Sequence, residues 1–209
     1  MNARPGKIVC VGRNYRDHAK ELGNEVPKEP LLFLKPPSSV VREGDPIRLP
    51  NVSTRVEHEA EIGVVIGRRL QGAAPEDARG AVRGIVALND VTARDLQKSD
   101  GQWTRAKGFD SFCPIGPEAP APANLAAMTV VGRVNGEERQ RGSSADMVFD
   151  IPTLLAYISG VMTLEPGDVV STGTPAGVGS MRDPKVWLKP GDEVVVSSPQ
   201  LGVLETRLA

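Results

Sequence analysis

Residues 57–66 read EHEAEIGVVI, and this stretch is the most informative one for the fold of the chain. An apolar run, IGVVI, directly follows the acidic residues, which is typical of a strand that enters a protein core. We therefore predict one long strand over 56–66. Side chains two apart on a strand share a face, so Glu57, Glu59 and Glu61 are expected to project together.

Three like charges on one face of a strand cost free energy unless solvent, basic groups or a cation neutralise them. A solvated strand face is the simplest interpretation, but the apolar run places the strand in or beside the core. A third acid would complete a site for a hard metal ion, and Asp90 can supply it at the end of a buried strand predicted over 84–88. Asp90 could equally cap the turn that follows it, so the spacing alone leaves both interpretations open.

The rest of the chain predicts many short elements in a single domain over 1–209. It contains 22 glycines and 18 prolines, which argues against coiled coils and helical bundles. Strands are predicted at 8–11, 31–34 and 84–88, in a hairpin around Asn135-Gly136, and after two related Pro-Gly turns at 165–170 and 189–194. Helices are predicted at 14–22, with Asn14 as the cap and Gly23 as the stop, at 75–82, and from Asp150 to about 161, with a loop at 98–108. Without a regular βαβ alternation, this pattern favours an α+β, mainly β fold.

Composition excludes several classes of protein. The chain has 25 basic and 26 acidic residues, so no basic field favours nucleic acid or anionic lipid. Only two Trp, two Tyr and four Phe are present, too few for a platform that stacks bases. The N-terminus lacks a secretory signal and no apolar stretch is long enough to span a membrane, so we expect a cytoplasmic protein.

The rare residues restrict the chemistry. Cys10 and Cys113 lack C-x-x-C spacing, which favours reduced, buried packing residues over a zinc or redox motif. Two histidines cannot form a three-histidine zinc site, so any metal must rely on carboxylates, which select hard ions such as Mg²⁺, Mn²⁺ or Ca²⁺.

One histidine is a candidate base. His18 and Glu21 lie three residues apart on the predicted helix, so their side chains can meet. A carboxylate that holds one imidazole nitrogen leaves the other free to activate water, although a surface ion pair is the simpler interpretation. His58 is predicted to face away from the acids as a satisfied structural histidine, and Lys107 lies in a loop where most lysines are solvated. Residues 172–179 look like an anion cradle but lack the lysine of a phosphate loop.

Six motifs occur in order along almost the whole chain. They are VGRNYxxH (11–18), LFLKP (32–36), HExExG (58–63), NDVTARDLQ (89–97), AKGFD (106–110) and TGTPxGVG (172–179). Together they resemble the fumarylacetoacetate hydrolase family, most closely its short acylpyruvase and oxaloacetate decarboxylase branch. Similar bacterial proteins include isomerases and decarboxylases of the hydroxymuconate and homoprotocatechuate pathways.

The resemblance implies a fold, an assembly and a set of site residues. It implies a mixed β-sandwich or roll of the fumarylacetoacetate hydrolase C-terminal type, assembled as a homodimer with one Mg²⁺ or Mn²⁺ per subunit. The implied metal ligands are Glu59, Glu61 and Asp90. The implied catalytic residues are His18 and Glu21, as a water-activating pair on a lid helix over about 14–22, and Lys107, which neutralises developing negative charge. The implied substrate contacts are Gln97 and Thr174, with Arg13, Lys35 and Arg94 as further candidates for carboxylate contacts.

The expected substrate is a small 2-oxo acid that chelates the metal through its carboxylate and keto oxygens. The primary prediction is hydrolysis of a C–C bond in an acylpyruvate, in which the metal stabilises a pyruvate enolate. The same site could decarboxylate oxaloacetate, or isomerise or decarboxylate a 2-hydroxy-dienoate. A catalytically silent metal-binding scaffold is the non-enzymatic alternative, and the presence of His18, Glu21 and Lys107 argues against it.

Overall fold

Most of the regular elements in the described residues are short strands. The computed structural model describes residues 4–23 and 25–209. The strands are β1 (Ile8–Gly12), β2 (Leu31–Lys35), β3 (Val40–Arg42), β4 (Val56–Glu57), β5 (Ala60–Ile66), β6 (Val82–Asn89), β7 (Thr92–Ala93), β8 (Cys113–Ile115), β9 (Ala119–Pro120), β10 (Thr129–Val134), β11 (Glu137–Ser143), β12 (Val169–Ser171), β13 (Glu193–Ser198) and β14 (Gly202–Arg207). The helices are α1 (Arg16–Glu21), α2 (Pro75–Arg79), α3 (Arg94–Asp100), α4 (Thr104–Lys107) and α5 (Ile151–Val161).

The strands form two main sheets. The large sheet runs in the order β2-β1-β12-β5-β6-β8-β3, with β9 also paired to β6. Its pairs β1/β12 and β3/β8 are parallel, whereas its other pairs are antiparallel. The second sheet, β11-β10-β13-β14, is antiparallel, and β4 pairs with β7 in a separate two-stranded ribbon.

The core lies on both faces of the large sheet. Alternate residues of β5 and β6 enter different apolar clusters, as the two-residue period of a strand requires. Ile62 and Ile85 belong to the cluster shared with the second sheet and α5, whereas Val65 and Val86 belong to the cluster on the other side. β5 is therefore buried on both faces, and the α+β, mainly β sandwich is confirmed.

Several local predictions are confirmed by hydrogen bonds and backbone angles. Asn135 and Gly136 both have positive φ values, 51° and 79°, as the tight turn between β10 and β11 requires. Asp150 caps α5 by accepting a hydrogen bond from Thr153 N at 2.9 Å. In the two Pro-Gly turns, Asp168 and Asp192 each accept from the backbone N–H three residues earlier, at 2.8 and 3.0 Å.

The single strand predicted over 56–66 is wrong, because β4 and β5 are separate strands. Between them the backbone bonds change partner. Glu59 N donates to the Asn89 side chain at 3.0 Å, and Ala60 N donates to Gln140 Oε1 at 2.9 Å. Because β4 pairs with β7 instead of continuing β5, Glu57 does not belong to the strand that carries Glu61.

Two further predictions need correction. The predicted loop at 98–108 contains the end of α3 and all of α4. Asn14 is not the cap of α1, whose capping position is Tyr15. The Asn14 side chain instead donates to Thr172 O and Phe149 O, at 2.8 and 3.0 Å, and so ties the entry of α1 to the loop after β12.

Across the described residues, none of the helices combines the length and the apolar character needed to cross a bilayer.

Candidate active site

Nine of the eleven predicted site residues line one cavity of about 470 Å³. It lies where the end of β1, the start of β5, the end of β6 and helices α1, α3 and α4 converge. Of the residues predicted from the sequence, the cavity is lined by Arg13, His18, Glu59, Glu61, Asp90, Arg94, Gln97, Lys107 and Thr174.

Glu59, Glu61 and Asp90 form a buried carboxylate cluster. Each offers an oxygen, and the three oxygens lie within 4.8 Å of one another. The β5–β6 register explains this, because Ala60 pairs with Asn89 and so brings the residues on either side together. Asp90 N also donates to Glu59 O at 2.9 Å, and this hydrogen bond holds the two segments together at this point.

Lys107 neutralises part of this cluster. Its Nζ lies 2.7 Å from Glu59 Oε2 and 2.6 Å from Asp90 Oδ2, and its side chain is buried. Burial alone would lower the pKa of Lys107, but Asp90 and Glu59 raise it above its ordinary value. Burial likewise opposes ionisation of Glu59, yet Lys107 and Arg94 hold its pKa well below the ordinary value. The prediction that most lysines in this segment are solvated does not hold for Lys107.

Glu61 has a different environment. Burial, followed by the charges of Asp90 and Glu59, raises its pKa to about 8. Its Oε2 accepts hydrogen bonds from Ser171 Oγ and from Gly173 N, the latter at 2.8 Å. Among the described residues, the ion pairs to this cluster reach Glu59 and Asp90 but not Glu61. Three close carboxylate oxygens, one of them still lacking a cation, fit a hard divalent ion.

The second feature of the cavity is the pair His18 and Glu21. His18 is buried, and its Nδ1 lies 3.2 Å from Glu21 Oε2, so this is not the surface ion pair that a charged helix would favour. Glu21 also accepts from Gly177 N, at 3.0 and 3.2 Å to its two oxygens. α1 is thus docked on the loop after β12, and Glu21 contacts the imidazole of His18 at Nδ1.

The predicted substrate contacts separate into two groups. Gln97, Thr174 and Arg13 line the cavity, as does Arg94. The Arg94 guanidinium is already engaged, because it donates to Glu57, to Glu59 and, at 2.5 Å, to Gln97 Oε1. It is therefore more strongly held by protein carboxylates than a free substrate anchor would be.

The prediction for Lys35 as a substrate contact is wrong. Its side chain is buried, and Nζ donates to Asp90 Oδ1 at 2.6 Å and to Val91 O at 3.1 Å. It lies on the protein side of Asp90 rather than on the cavity wall, because β2 carries it past the cavity to its pairing with Ile8.

One side of the cavity is an aromatic wall that the sequence did not predict. Phe33 and Trp103 both line the cavity, with ring centroids 5.1 Å apart and an edge-to-face angle of 70°. Lys98 lines it as well, from α3. Trp103 lay in the predicted loop and carried no signal of its own. Phe33 lies two residues from Lys35 on β2, so the two side chains project to the same face of the sheet. This spacing could have indicated that Phe33 lies near the site.

His58 is buried as predicted, but it is not satisfied. Within the described part of the chain, its Nε2 has no hydrogen-bond partner. Burial lowers the pKa of His58 to about 4. It is therefore a neutral histidine packed beside the site.

A mixed sandwich that holds a buried carboxylate cluster and a histidine–glutamate pair beside one cavity has the features of a small-molecule site, and the cluster could bind a metal ion. The family model for the fumarylacetoacetate (FAA) hydrolase C-terminal domain matches residues 7–209. The chain belongs to the fumarylacetoacetate hydrolase family.

Named relatives in this family include tautomerases and isomerases. The human mitochondrial oxaloacetate tautomerase FAHD2A is 45% identical over 206 residues, which cover 96% of this chain and 66% of that protein. The Bacillus subtilis oxaloacetate tautomerase YisK is 41% identical over 212 residues, covering 98% of this chain and 70% of that protein. The crystal structure of 5-carboxymethyl-2-hydroxymuconate delta-isomerase from Mycobacterium smegmatis has a TM-score of 0.89 at 39% identity, covering 99% of this chain and 79% of that chain.

Proposed function

We propose that this chain is a divalent-metal-dependent isomerase that interconverts the enol and keto forms of small 2-oxo acids, with oxaloacetate as the simplest substrate. The observation that carries the proposal is that His18 and the carboxylate cluster line the same cavity. The named activities of the relatives favour proton transfer over the acylpyruvate hydrolysis expected from the sequence.

Glu59, Glu61 and Asp90 would hold one Mg²⁺ or Mn²⁺ per subunit. When bound, the ion supplies positive charge beside the carboxylate and 2-oxo oxygens of the substrate, where the enolate charge develops. Lys107 adds a second positive charge, since it already lies between Glu59 and Asp90 at 2.7 and 2.6 Å.

The proton transfer is assigned to His18. Conversion of the enol to the ketone removes a proton from the enol oxygen and adds one at C3, with no change in the carbon skeleton. Because Glu21 binds Nδ1, it fixes the imidazole tautomer and leaves Nε2 to give or take the proton at C3. Gln97 and Thr174 line the cavity and would contact the substrate, and Phe33 and Trp103 would exclude water from one side.

The test is an assay of enol-oxaloacetate decay on purified protein with Mg²⁺ or Mn²⁺, followed by absorbance, with a metal-only control. We expect metal-dependent acceleration that is lost on chelation and in Glu59→Gln. Pyruvate formation is measured in the same samples, because decarboxylation without faster enol decay would replace the tautomerase proposal with a decarboxylase.

Acylpyruvate hydrolysis is the second candidate, favoured by the aromatic wall and the size of the cavity. In that reaction His18 would take a proton from water as the water attacks C4. The C3–C4 bond then breaks, releasing a carboxylic acid and the enolate of pyruvate, and His18 returns its proton to C3 of the enolate. Metal-dependent loss of acetylpyruvate, with no effect on enol-oxaloacetate, would favour this candidate.

A further inference from the structure

Glu57 is a buried carboxylate that the proposed reaction does not use. Its side chain is fully withdrawn from solvent, although it stands only two residues from Glu59. It is not part of the carboxylate cluster, because β4 pairs with β7 and the register sets Glu57 opposite Thr92. A buried carboxylate requires compensation, so its partners define its role.

Two groups compensate Glu57. Ser180 donates to it from its backbone N, at 2.6 Å to Oε2, and from its hydroxyl, at 3.3 Å to Oε1. The Arg94 guanidinium forms an ion pair with Oε1. Glu57 thus connects the loop after β12 to the first residue of α3.

The same guanidinium reaches into the cavity. Arg94 forms an ion pair with Glu59 Oε1 and donates to Gln97 Oε1 at 2.5 Å. One cation therefore contacts a carboxylate of the cluster, a candidate substrate contact and Glu57, which lies outside the cluster. Planar guanidinium groups suit such multiple pairing because their donors are fixed in one plane.

The charge on Arg94 has a consequence for any cation at the cluster. If Glu57 were absent, Glu59 would be the one carboxylate paired with Arg94. The positive charge of Arg94 would then oppose the binding of a divalent ion to Glu59. With Glu57 present, its carboxylate neutralises the charge of Arg94. The negative charge of Glu59 is then available to a cation bound in the cavity.

We infer that Glu57 is a positioning residue for the metal site, acting through Arg94. It holds the guanidinium in place and cancels its charge, so that Glu59 and Gln97 keep their orientation and Glu59 remains an effective ligand. This inference rests on the proposed metal dependence of the site.

The experiment is a double-mutant cycle on Mn²⁺ affinity, measured by calorimetry on metal-free protein. The variants are Glu57→Gln, Arg94→Gln and the double variant, with Glu165→Gln, on an exposed surface pair with Arg69, as the matched control. Glutamine retains an oxygen for Ser180 N, while its NH₂ group replaces the oxygen that accepts from Arg94, so the charge and that acceptor are both removed. We expect Glu57→Gln to weaken Mn²⁺ binding about tenfold, and the double variant to bind within about threefold of Arg94→Gln.

The rescue separates charge cancellation from a merely structural role. If Glu57 only anchored Ser180, removal of Arg94 would not restore affinity, so a double variant as weak as Glu57→Gln would overturn the inference. Unchanged affinity in Glu57→Gln would overturn it too. Circular dichroism checks that each variant folds. If Glu57→Gln does not fold, the double variant is compared with Arg94→Gln. A tenfold lower Mn²⁺ affinity of the double variant overturns the inference, and equal affinity supports it. Absence of saturable Mn²⁺ binding by the unmodified protein would instead refute the metal site of the proposed function.

Discussion

Lys35 Nζ lies 2.6 Å from Asp90 Oδ1, and both side chains are almost completely withdrawn from solvent. The same ammonium donates to Val91 O at 3.1 Å. Asp90 is therefore held by lysines on two sides, since Lys107 binds its other oxygen at 2.6 Å. Lys35 orients Asp90 from within the protein and does not contact the cavity.

Replacement of Lys35 by Met should destabilise the fold. Removing Lys35 leaves Asp90 with Lys107 as its remaining lysine partner, and loss of one member of a buried ion pair costs about 3 kcal/mol of unfolding free energy. Urea unfolding of metal-free protein measures this loss. Arg69→Met is the matched control, because its pair with Glu165 is exposed and should contribute less than about 1 kcal/mol. Equal, small losses in the two variants would mean that Lys35 is not an important counter-ion.

Metal affinity should depend on pH through Glu61. Its pKa is raised to about 8, so near neutral pH the metal-free protein holds a proton that a metal ion must displace. Affinity for Mn²⁺ should rise by about tenfold per pH unit below that pKa and level off above it. Calorimetry in two buffers of different ionisation enthalpy measures the released proton.

Glu61→Gln provides the control for this pH dependence. It cannot release the proton, so its weaker binding should lose that part of the slope. A flat affinity for the unmodified protein across the same pH range would contradict the raised pKa of Glu61.

Short-range patterns predicted the buried strands and offered Glu59, Glu61 and Asp90 as candidate ligands, whereas the sandwich and the ligand set were implied by the six motifs. The apolar period of β5 and β6 fixed two neighbouring buried strands, and their register alone brings Glu59, Glu61 and Asp90 together. The His18–Glu21 pair needed only helical spacing. For these residues, local geometry decides which side chains meet.

The sequence could not predict where polar side chains replace the regular ladder. The break between β4 and β5 depends on Asn89 and Gln140, the latter 80 residues away from its partner Ala60, and it sends Glu57 to a different partner. The role of Lys35 also depends on how deeply its side chain is buried. The alternation of side chains along a strand predicts which face a residue occupies, but not how far the cavity extends along that face. Both errors arise from long-range contacts that override a correct local pattern.

Replacement of His18 by Asn should separate proton transfer from metal binding. The proposed role of His18 is to move a proton at C3, so enol decay should slow by about 10²- to 10⁴-fold. Mn²⁺ affinity should stay within about threefold, since histidine is not one of the three proposed ligands. Deuterium exchange at C3 of the 2-oxo acid, followed by NMR, measures the transfer directly. A loss of metal binding equal to the loss of exchange would contradict this assignment.

Stability should fall in acid because of His58, whose pKa is lowered to about 4 by burial. The unfolded chain binds a proton near the ordinary value of 6.5, whereas the folded protein resists it down to about 4. Stability from neutral His58 is thus fully present above the unfolded pKa and is lost as the pH falls through this window, by about 3 kcal/mol in total. Urea unfolding of metal-free protein across the window measures the slope. His58→Gln should flatten it, with His18→Gln as the matched histidine control, and an unchanged slope in His58→Gln would assign the acid sensitivity to other groups.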